Sequence, residues 1–421
     1  MALNGGSMKK KILLKAPLLT RSGYGEQARF ALRSLRSRED LFDIFIQPLQ
    51  WGQTSWINEY DEERQWIDQT IEKTIGHIQQ GGKFDISLQV TIPNEFEKLA
   101  PVNVGYTAGI ETTKVAHQWI QKVNEMDRVI VVSNHSKQVF EDTQYEAQIE
   151  QSGERFILKT ETPINVVNYP VKTFESLPEL DLDITTPFNF LVVAQFGPRK
   201  NLQNTVKWFV EEFRNDDVGL ILKTNIAKNC LMDRNKLMND LTNFIRAQGD
   251  KKCKVYLLHG DMTDEEMHSL YKSDKIHAFV SLSHGEGFGL PIFESCYSGL
   301  PIVATGWSGQ LDFLIDDKGQ EQFYNVSFDL KPVLKEAVWD AVILPESMWA
   351  YPREASAKKQ MRTCYEDKLS GNERWDNSSI VEQFSQQAQY EKFVSLFDEY
   401  SAIQESNNWL NEISDIVKEY E

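Results

Sequence analysis

The sequence predicts an α/β protein made of two doubly wound parallel sheets joined by a short acidic linker. Three observations predict it. Short apolar, β-rich runs alternate with longer amphipathic stretches in both halves of the 421 residues, the pattern of strands crossed over by helices. Glycine-rich turns follow several of the strand-like runs, and helical patterns open directly after them. Residues 173–187, TFESLPELDLDITTP, break the alternation with acids, prolines and threonines, which marks a boundary. The length exceeds what one core ordinarily serves, in keeping with two units.

In chain order, residues 1–7 (MALNGGS) read as an added tag ahead of a native start at Met8. Lys10–Ala16 is the first strand. Gly23, Tyr24 and Gly25 then form a flexible loop before a helix with Ala28, Ala31, Leu32 and Leu35 on one face. Strand, glycine loop and helix suit a phosphate, because free N–H groups at a helix start attract anions; GYGE is shorter than the full dinucleotide fingerprint. Arg29, Arg33 and Arg36 recur along the helix as a solvated basic face, with peripheral contact to an anionic membrane as the alternative. Asp43–Gln47, Phe84–Val90, Val102–Thr107 and Arg128–Ser133 read as further strands, and 61–79 and 114–124 as helices. Ser133 and Ser136 suit helix caps, and His117 suits packing better than catalysis.

Composition narrows the function. The net charge of −17 disfavours nucleic acid, whose binding rests on Lys and Arg. Four scattered cysteines, at 230, 253, 296 and 364, fit a reducing cytoplasm better than a disulfide or zinc framework. No apolar run approaches the roughly 20 residues of a membrane span, and no secretory leader is recognisable.

The densest signal is residues 276–310, IHAFVSLSHGEGFGLPIFESCYSGLPIVATGWSGQ. Ile276–Leu282 reads as a buried strand, Gly285, Gly287 and Gly289 as an open turn, and Pro291 as the first turn of a helix ended by Gly299. Leu300–Thr305 starts the next strand. Ligands of such units sit beyond the strands' carboxyl ends, with anions at the helix start. Two carboxylates, Glu286 and Glu294, stand at that end. They are unsuited to phosphate but well suited to pairs of hydroxyl groups. A phosphate flanked by polyols describes a nucleotide sugar.

The stretch from Glu286 through Gly-Phe-Gly-Leu-Pro to Glu294 resembles the E-x7-E signature of retaining GT-B glycosyltransferases, family four in particular. The resemblance implies two Rossmann-like domains facing a cleft: an acceptor domain over 8–180, a nucleotide-sugar domain over 186–375, and helices over 376–421 that cross back to the first domain. It implies transfer of a hexose-type sugar from a UDP-, GDP- or ADP-sugar to a hydroxyl-bearing acceptor (glycan, lipid or small molecule). The anomeric configuration would be kept, with no metal and no other cofactor. An epimerase or hydrolase of the same fold and a non-catalytic sugar-nucleotide scaffold are the alternatives.

By the same resemblance, Glu294 grips ribose hydroxyls, and Glu286 holds sugar hydroxyls beside the N–H groups of Gly287, Phe288, Gly289 and Leu290. Gly23, Tyr24 and Gly25 approach the donor. Thr305 and Gly306 open a second glycine turn toward the phosphates or sugar, with Trp307 either on the hexose or covering the turn. Lys200 neutralises the diphosphate. The arginine that the family carries earlier in this turn is absent, and Arg199 either replaces it or faces solvent. Lys223 also suits the diphosphate, and the His259–Gly260 loop lines the base pocket. Glu111 reads as an acceptor contact, a base for the acceptor hydroxyl or a surface acid. Asp181 and Asp183 match a metal-binding D-x-D only in spacing. Helical patterns cover 352–368, 378–400 and 402–418, with Trp349, Trp375 and Trp409 as core anchors.

Overall fold

The computed structural model describes residues 9–400 apart from 53, 150, 151, 373, 374, 376, 377 and 399; the helix expected at 402–418 and Trp409 lie outside them. The amino-terminal sheet is built from β1 (Lys10–Ala16), β2 (Phe42–Pro48), β3 (Ile86–Val90), β4 (Val102–Thr107) and β5 (Arg128–Val131). A hairpin of β6 (Gln144–Gln148) and β7 (Arg155–Lys159) precedes its last strand, β8 (Ile164–Val166). The order is β2-β1-β3-β4-β5-β8, every pairing parallel. Helices α1 (Gly23–Arg36), α2 (Glu62–Gln79), α3 (His117–Val123) and α4 (Asn134–Asp142) make the crossovers.

The second sheet repeats the plan. Strands β9 (Phe188–Val193), β10 (Val218–Lys223), β11 (Lys254–Leu258), β12 (Ala278–Ser281), β13 (Ile302–Thr305) and β14 (Tyr324–Val326) pair in the order β11-β10-β9-β12-β13-β14, again all parallel. Between them run α5 (Leu202–Glu212), α6 (Leu231–Ala247), α7 (Asp264–Tyr271), α8 (Leu290–Tyr297) and the short α9 (Leu311–Leu314). An antiparallel hairpin, β15 (Phe328–Pro332) and β16 (Met348–Pro352), leads to α10 (Glu354–Leu369), α11 (Ser378–Gln383) and α12 (Gln386–Ser395). Strands buried on both faces explain the unbroken apolar runs: every residue of β3, and all but the last residue of β9 and β10, is buried.

The last helices return to the first sheet. Phe393 of α12 meets Phe30 of α1 edge-on at 5.4 Å, and the Val171 N–H donates to the Phe384 carbonyl at 2.8 Å. Apolar side chains of α1, α8, α11 and α12 therefore merge into one core that joins both halves. The long helix expected over 378–400 is broken, because Ser385 caps a new start by accepting from the Ala388 N–H.

Three local readings change. Gly23, Tyr24 and Gly25 are not a loop but the first turn of α1, fixed by the Ser22 side chain accepting from the Gly25 N–H. The arginines are not a bare solvated face. Arg29 caps the Leu18 and Thr20 carbonyls, Arg33 grips Glu63 with two bonds, and Arg36 lies over the Trp66 ring at 4.4 Å. His117 is exposed, its ring meeting that of Tyr145 edge-on at 5.9 Å.

Candidate active site

Strand order reverses in the second sheet at β9 and β12, and a reversal opens a crevice beyond the carboxyl ends of its two strands. The chain leaving β9 turns through Pro198–Lys200. The chain leaving β12 forms the turn over 283–289 that starts α8. Arg199, Lys200 and Glu286 thus come from neighbouring strand ends, and they meet. Lys200 Nζ donates to both Glu286 oxygens, at 2.6 and 2.8 Å. Arg199 Nη1 donates to Glu286 Oε2 at 3.0 Å and to the Gly285 carbonyl at 2.7 Å. Burial penalises the Glu286 charge, but the attraction of Lys200 and Arg199 outweighs it and holds the carboxyl down at about 2. Lys200 is itself pulled below its ordinary value by burial and by Arg199.

The amino-terminal half completes the cluster. Glu111, on the loop after β4, lies 3.2 Å from Arg199 Nη2. Two cations therefore face two carboxylates in a partly buried cleft. Close approach of the loops requires glycine: a Cβ at Gly285 would stand 2.5 Å from the Glu111 carbonyl oxygen, and one at Gly287 2.7 Å from that of Ala108. The halves are also tied by Asp312, whose Oδ2 accepts from the Asn134 N–H at 3.0 Å and from Asn168 Nδ2 at 2.9 Å.

The second glycine turn supports the first. Ser308 accepts the Glu286 N–H at 2.8 Å and donates to Gln310. Its own N–H groups are mostly taken: those of Gly306, Trp307 and Gly309 donate to Val326, Thr305 and Glu286 carbonyls. The Gln310 amide donates to the Thr305 carbonyl at 2.9 Å, while the Thr305 hydroxyl is buried without a partner among the described residues. Trp307 covers the turn, its ring 4.8 Å from that of His135. At the start of α8, the N–H groups of Leu290 and Ile292 have no intrahelical partner and Pro291 has no N–H, and Gly289 takes the left-handed φ of 93° that the turn requires.

Glu294 sits one helical stretch on, in a different environment. Lys172, just before the linker, lies 4.0 Å from its Oε1, and the Tyr271 hydroxyl donates to Oε2 at 3.1 Å. Burial lifts this carboxyl to about 7; Lys172 opposes the lift, and Asp264 and Glu26 add to it. Tyr24 reaches the other wall: its hydroxyl is 2.9 Å from Thr107 Oγ1 and accepts from the Ala108 N–H at 3.3 Å. Gly23 is open on its outer side, where an added Cβ would meet nothing within 4 Å. Lys223 donates to the Gly260 carbonyl, and the His259 ring turns inward to Asp233 at 3.0 Å. Asp181 and Asp183 rim a separate groove of about 400 Å³ lined by Met238, Leu241 and Tyr256. Among the described residues, no three His, Cys, Asp or Glu side chains gather as a metal site.

Two contributors escaped the sequence reading. His135 sits beside Trp307 with its Nε2 buried and unpartnered among the described residues, and burial lowers its pKa to about 4. The signal was its position between Ser133 and Ser136, which capping alone accounted for. The β15–β16 hairpin reaches across the cleft, donating from the Met348 N–H to Thr113 Oγ1 at 3.0 Å and seating Val342 among amino-terminal core residues.

Residues 181–325 match the family described as Glycosyl transferases group 1. That match takes in β9 to β13 and all but the last residue of β14. Solved structures extend the likeness to both sheets. Sucrose-phosphate synthase from Thermosynechococcus elongatus is 12% identical over 94% of this chain and 100% of its own, with a TM-score of 0.58. A glycosyltransferase from Rickettsia africae is 13% identical over 93% and 98%, with a TM-score of 0.54. The lipopolysaccharide outer core galactosyltransferase WaaB, in its apo form, is 12% identical over 93% and 100%, with a TM-score of 0.53. At such identities the likeness is one of fold, and the fold is GT-B. A search of curated protein sequences found no match. Among the described residues, no helix is long and apolar enough to cross a membrane.

Proposed function

We propose that the protein is a retaining, metal-independent glycosyltransferase that moves a hexose-type unit from a nucleoside diphosphate sugar to an acceptor hydroxyl. The observation that carries this reading is the buried Lys200–Glu286–Arg199 cluster at the strand-order reversal, met by Glu111 from the facing half. A diphosphate entering at the start of α8 takes over Lys200 and Arg199, and Glu286 is released toward the sugar hydroxyls. The bond from the anomeric carbon to the phosphate oxygen breaks as the acceptor oxygen attacks the same face. The acceptor's proton passes to the departing phosphate. Negative charge growing on that phosphate is stabilised by fixed cations in a water-poor cleft, which requires no metal. Glu294 accepts from the ribose hydroxyls, and Gly287 to Leu290 offer N–H groups. Glu111 fixes Arg199 and faces the acceptor.

The test is a panel of UDP-, GDP- and ADP-hexoses. One donor should raise the melting temperature by mass action and yield an acceptor glycoside of unchanged anomeric configuration. Free hexose regardless of acceptor would make the protein a hydrolase, and an epimerised donor an epimerase. No stabilisation and no turnover at millimolar donor would sink the reading.

A further inference from the structure

Away from the Glu286 cluster, a second group of charges gathers where the linker, the first helix and the sugar-nucleotide half meet. Its centre is Lys172. The ammonium lies 2.9 Å from Glu26 Oε1 on α1, 2.8 Å from Asp264 Oδ2 at the start of α7 and 4.0 Å from Glu294 Oε1 on α8. Glu26 is shared with Arg29 at 3.0 Å. The Lys172 backbone N–H donates to the Tyr297 hydroxyl at 3.4 Å, and that hydroxyl is 2.5 Å from His268 Nε2. Only 16% of the side chain of either Lys172 or Glu294 remains exposed. One lysine thus serves three carboxylates that belong to three separate helices.

We infer that Lys172 is a positioning residue for the donor: by bridging Glu26 to Asp264 and Glu294, it keeps Glu294 ionised and oriented for a pair of donor hydroxyls only when the two halves are seated together. This rests on the proposed donor reading and adds a residue from outside the nucleotide-sugar half. The physical argument is competition. Coulomb attraction falls with distance, and Glu294 is the farthest of the three acids. Burial, Asp264 and Glu26 disfavour its charge, and Lys172 and the Tyr271 hydroxyl favour it. The remaining titratable neighbours do not add a positive charge: burial holds His268 below its ordinary value, and it raises Tyr271 and Tyr297. A protonated Glu294 accepts from one hydroxyl where the carboxylate accepts from two. Removing Asp264, which is largely exposed, hands Lys172 to Glu294. Removing Lys172 leaves Glu294 against two acids.

The two substitutions should therefore move nucleotide binding in opposite directions, which loss of packing alone does not do. The measurement is the Kd of the full chain for UDP, GDP and ADP, taken from pH 5.5 to 9, together with 2′,3′-dideoxy forms of the same nucleotides. Lys172→Met should weaken the best of the three about tenfold at pH 7 and move its binding midpoint to higher pH. Asp264→Asn should move that midpoint to lower pH, and Lys172→Arg should stay near wild type. With the dideoxy probes, wild type and Lys172→Met should bind alike. If Lys172→Met is too unstable to assay, the Asp264→Asn shift decides alone. Shifts of one sign, or a Lys172→Met defect that persists with the dideoxy probes, overturn the inference while leaving the proposed function intact. Failure of the wild type to bind any of the three nucleotides overturns both.

Discussion

Glu286 and Glu294 share one turn-and-helix segment, yet the fold treats them as opposites. Glu286 has two cations within 3.0 Å and is held to about 2. Glu294 has a share of one lysine at 4.0 Å and is lifted to about 7. Glu286 is buried and Glu294 nearly so, and desolvation raises both; the count and distance of opposing charges separate them. The first carboxylate is a fixed ion that organises two cations. The second is poised to gain or lose a proton near neutrality. In the proposed sugar site, the first would hold the phosphate-binding cations in place and the second would answer a neutral ligand.

Removing the fixed ion should have the largest effect. Glu286→Ala leaves Lys200 and Arg199 buried with only Glu111 opposite, and breaking a buried pair in this way costs about 3–5 kcal/mol. Turnover of the best donor should fall by roughly a thousandfold or more, and a thermal melt should show the lost stability. Since the Glu286 carboxyl is depressed in the folded state, its contribution is present above its ordinary value of 4.5 and disappears as pH falls toward about 2. Wild type and Glu286→Ala melts should therefore converge on acidification. Lys200→Met ranks next. It should lower kcat by about 10²–10³-fold, through loss of a preorganised cation on the leaving phosphate. If kcat stays within threefold, the assignment of Lys200 to the phosphate is wrong.

Glu294→Gln should do the reverse for stability. A carboxyl raised in the folded state contributes fully below 4.5 and loses that contribution as pH rises through about 7. At pH 8 the native protein carries a buried, under-compensated charge, and Gln removes it. The variant should melt higher at pH 8, by on the order of 1–2 kcal/mol, with the gain shrinking to nothing near pH 4.5. It should also bind the nucleotide less tightly. A lower melting temperature at pH 8 would show that Glu294 is well compensated.

That contrast was hidden in the sequence, although both residues were not. The E-x7-E spacing, the glycine turn and the β12–α8–β13 pattern are local, so residues 276–310 announce them. The partners of Glu286 were half legible: Lys200 and Arg199 follow a strand end, but only the parallel order of β9 and β12 sets them beside Glu286. Lys172 was not legible at all, because its three acids lie 146, 92 and 122 positions away, by subtraction from Glu26, Asp264 and Glu294. The hairpins were missed for another reason. Strand β6 (QYEAQ) has no apolar run, and the run Phe156-Ile157-Leu158 of β7 is only three residues long and faces solvent in place of a core. The GYGE turn was misread because flexibility was inferred from glycine, whereas Gly25 is there for space: a Cβ would run into the Thr20 carbonyl oxygen.

The smallest effect should come from Glu111, and it sharpens the comparison most finely. Glu111 contributes to the fixed cluster from the opposite half, but Arg199 keeps Glu286 and the Gly285 carbonyl without it. Glu111→Gln preserves the shape and removes one charge from a partly exposed pair, so the stability cost should be about 1 kcal/mol or less. Its effect on turnover separates the two roles. As the tether of Arg199, its loss should lower kcat less than about tenfold and leave the pH dependence of kcat unchanged. As a base for the acceptor hydroxyl, its loss should cost about 10²–10⁴-fold. The ion pair with Arg199 keeps the Glu111 carboxylate turned to a guanidinium, which favours the smaller loss.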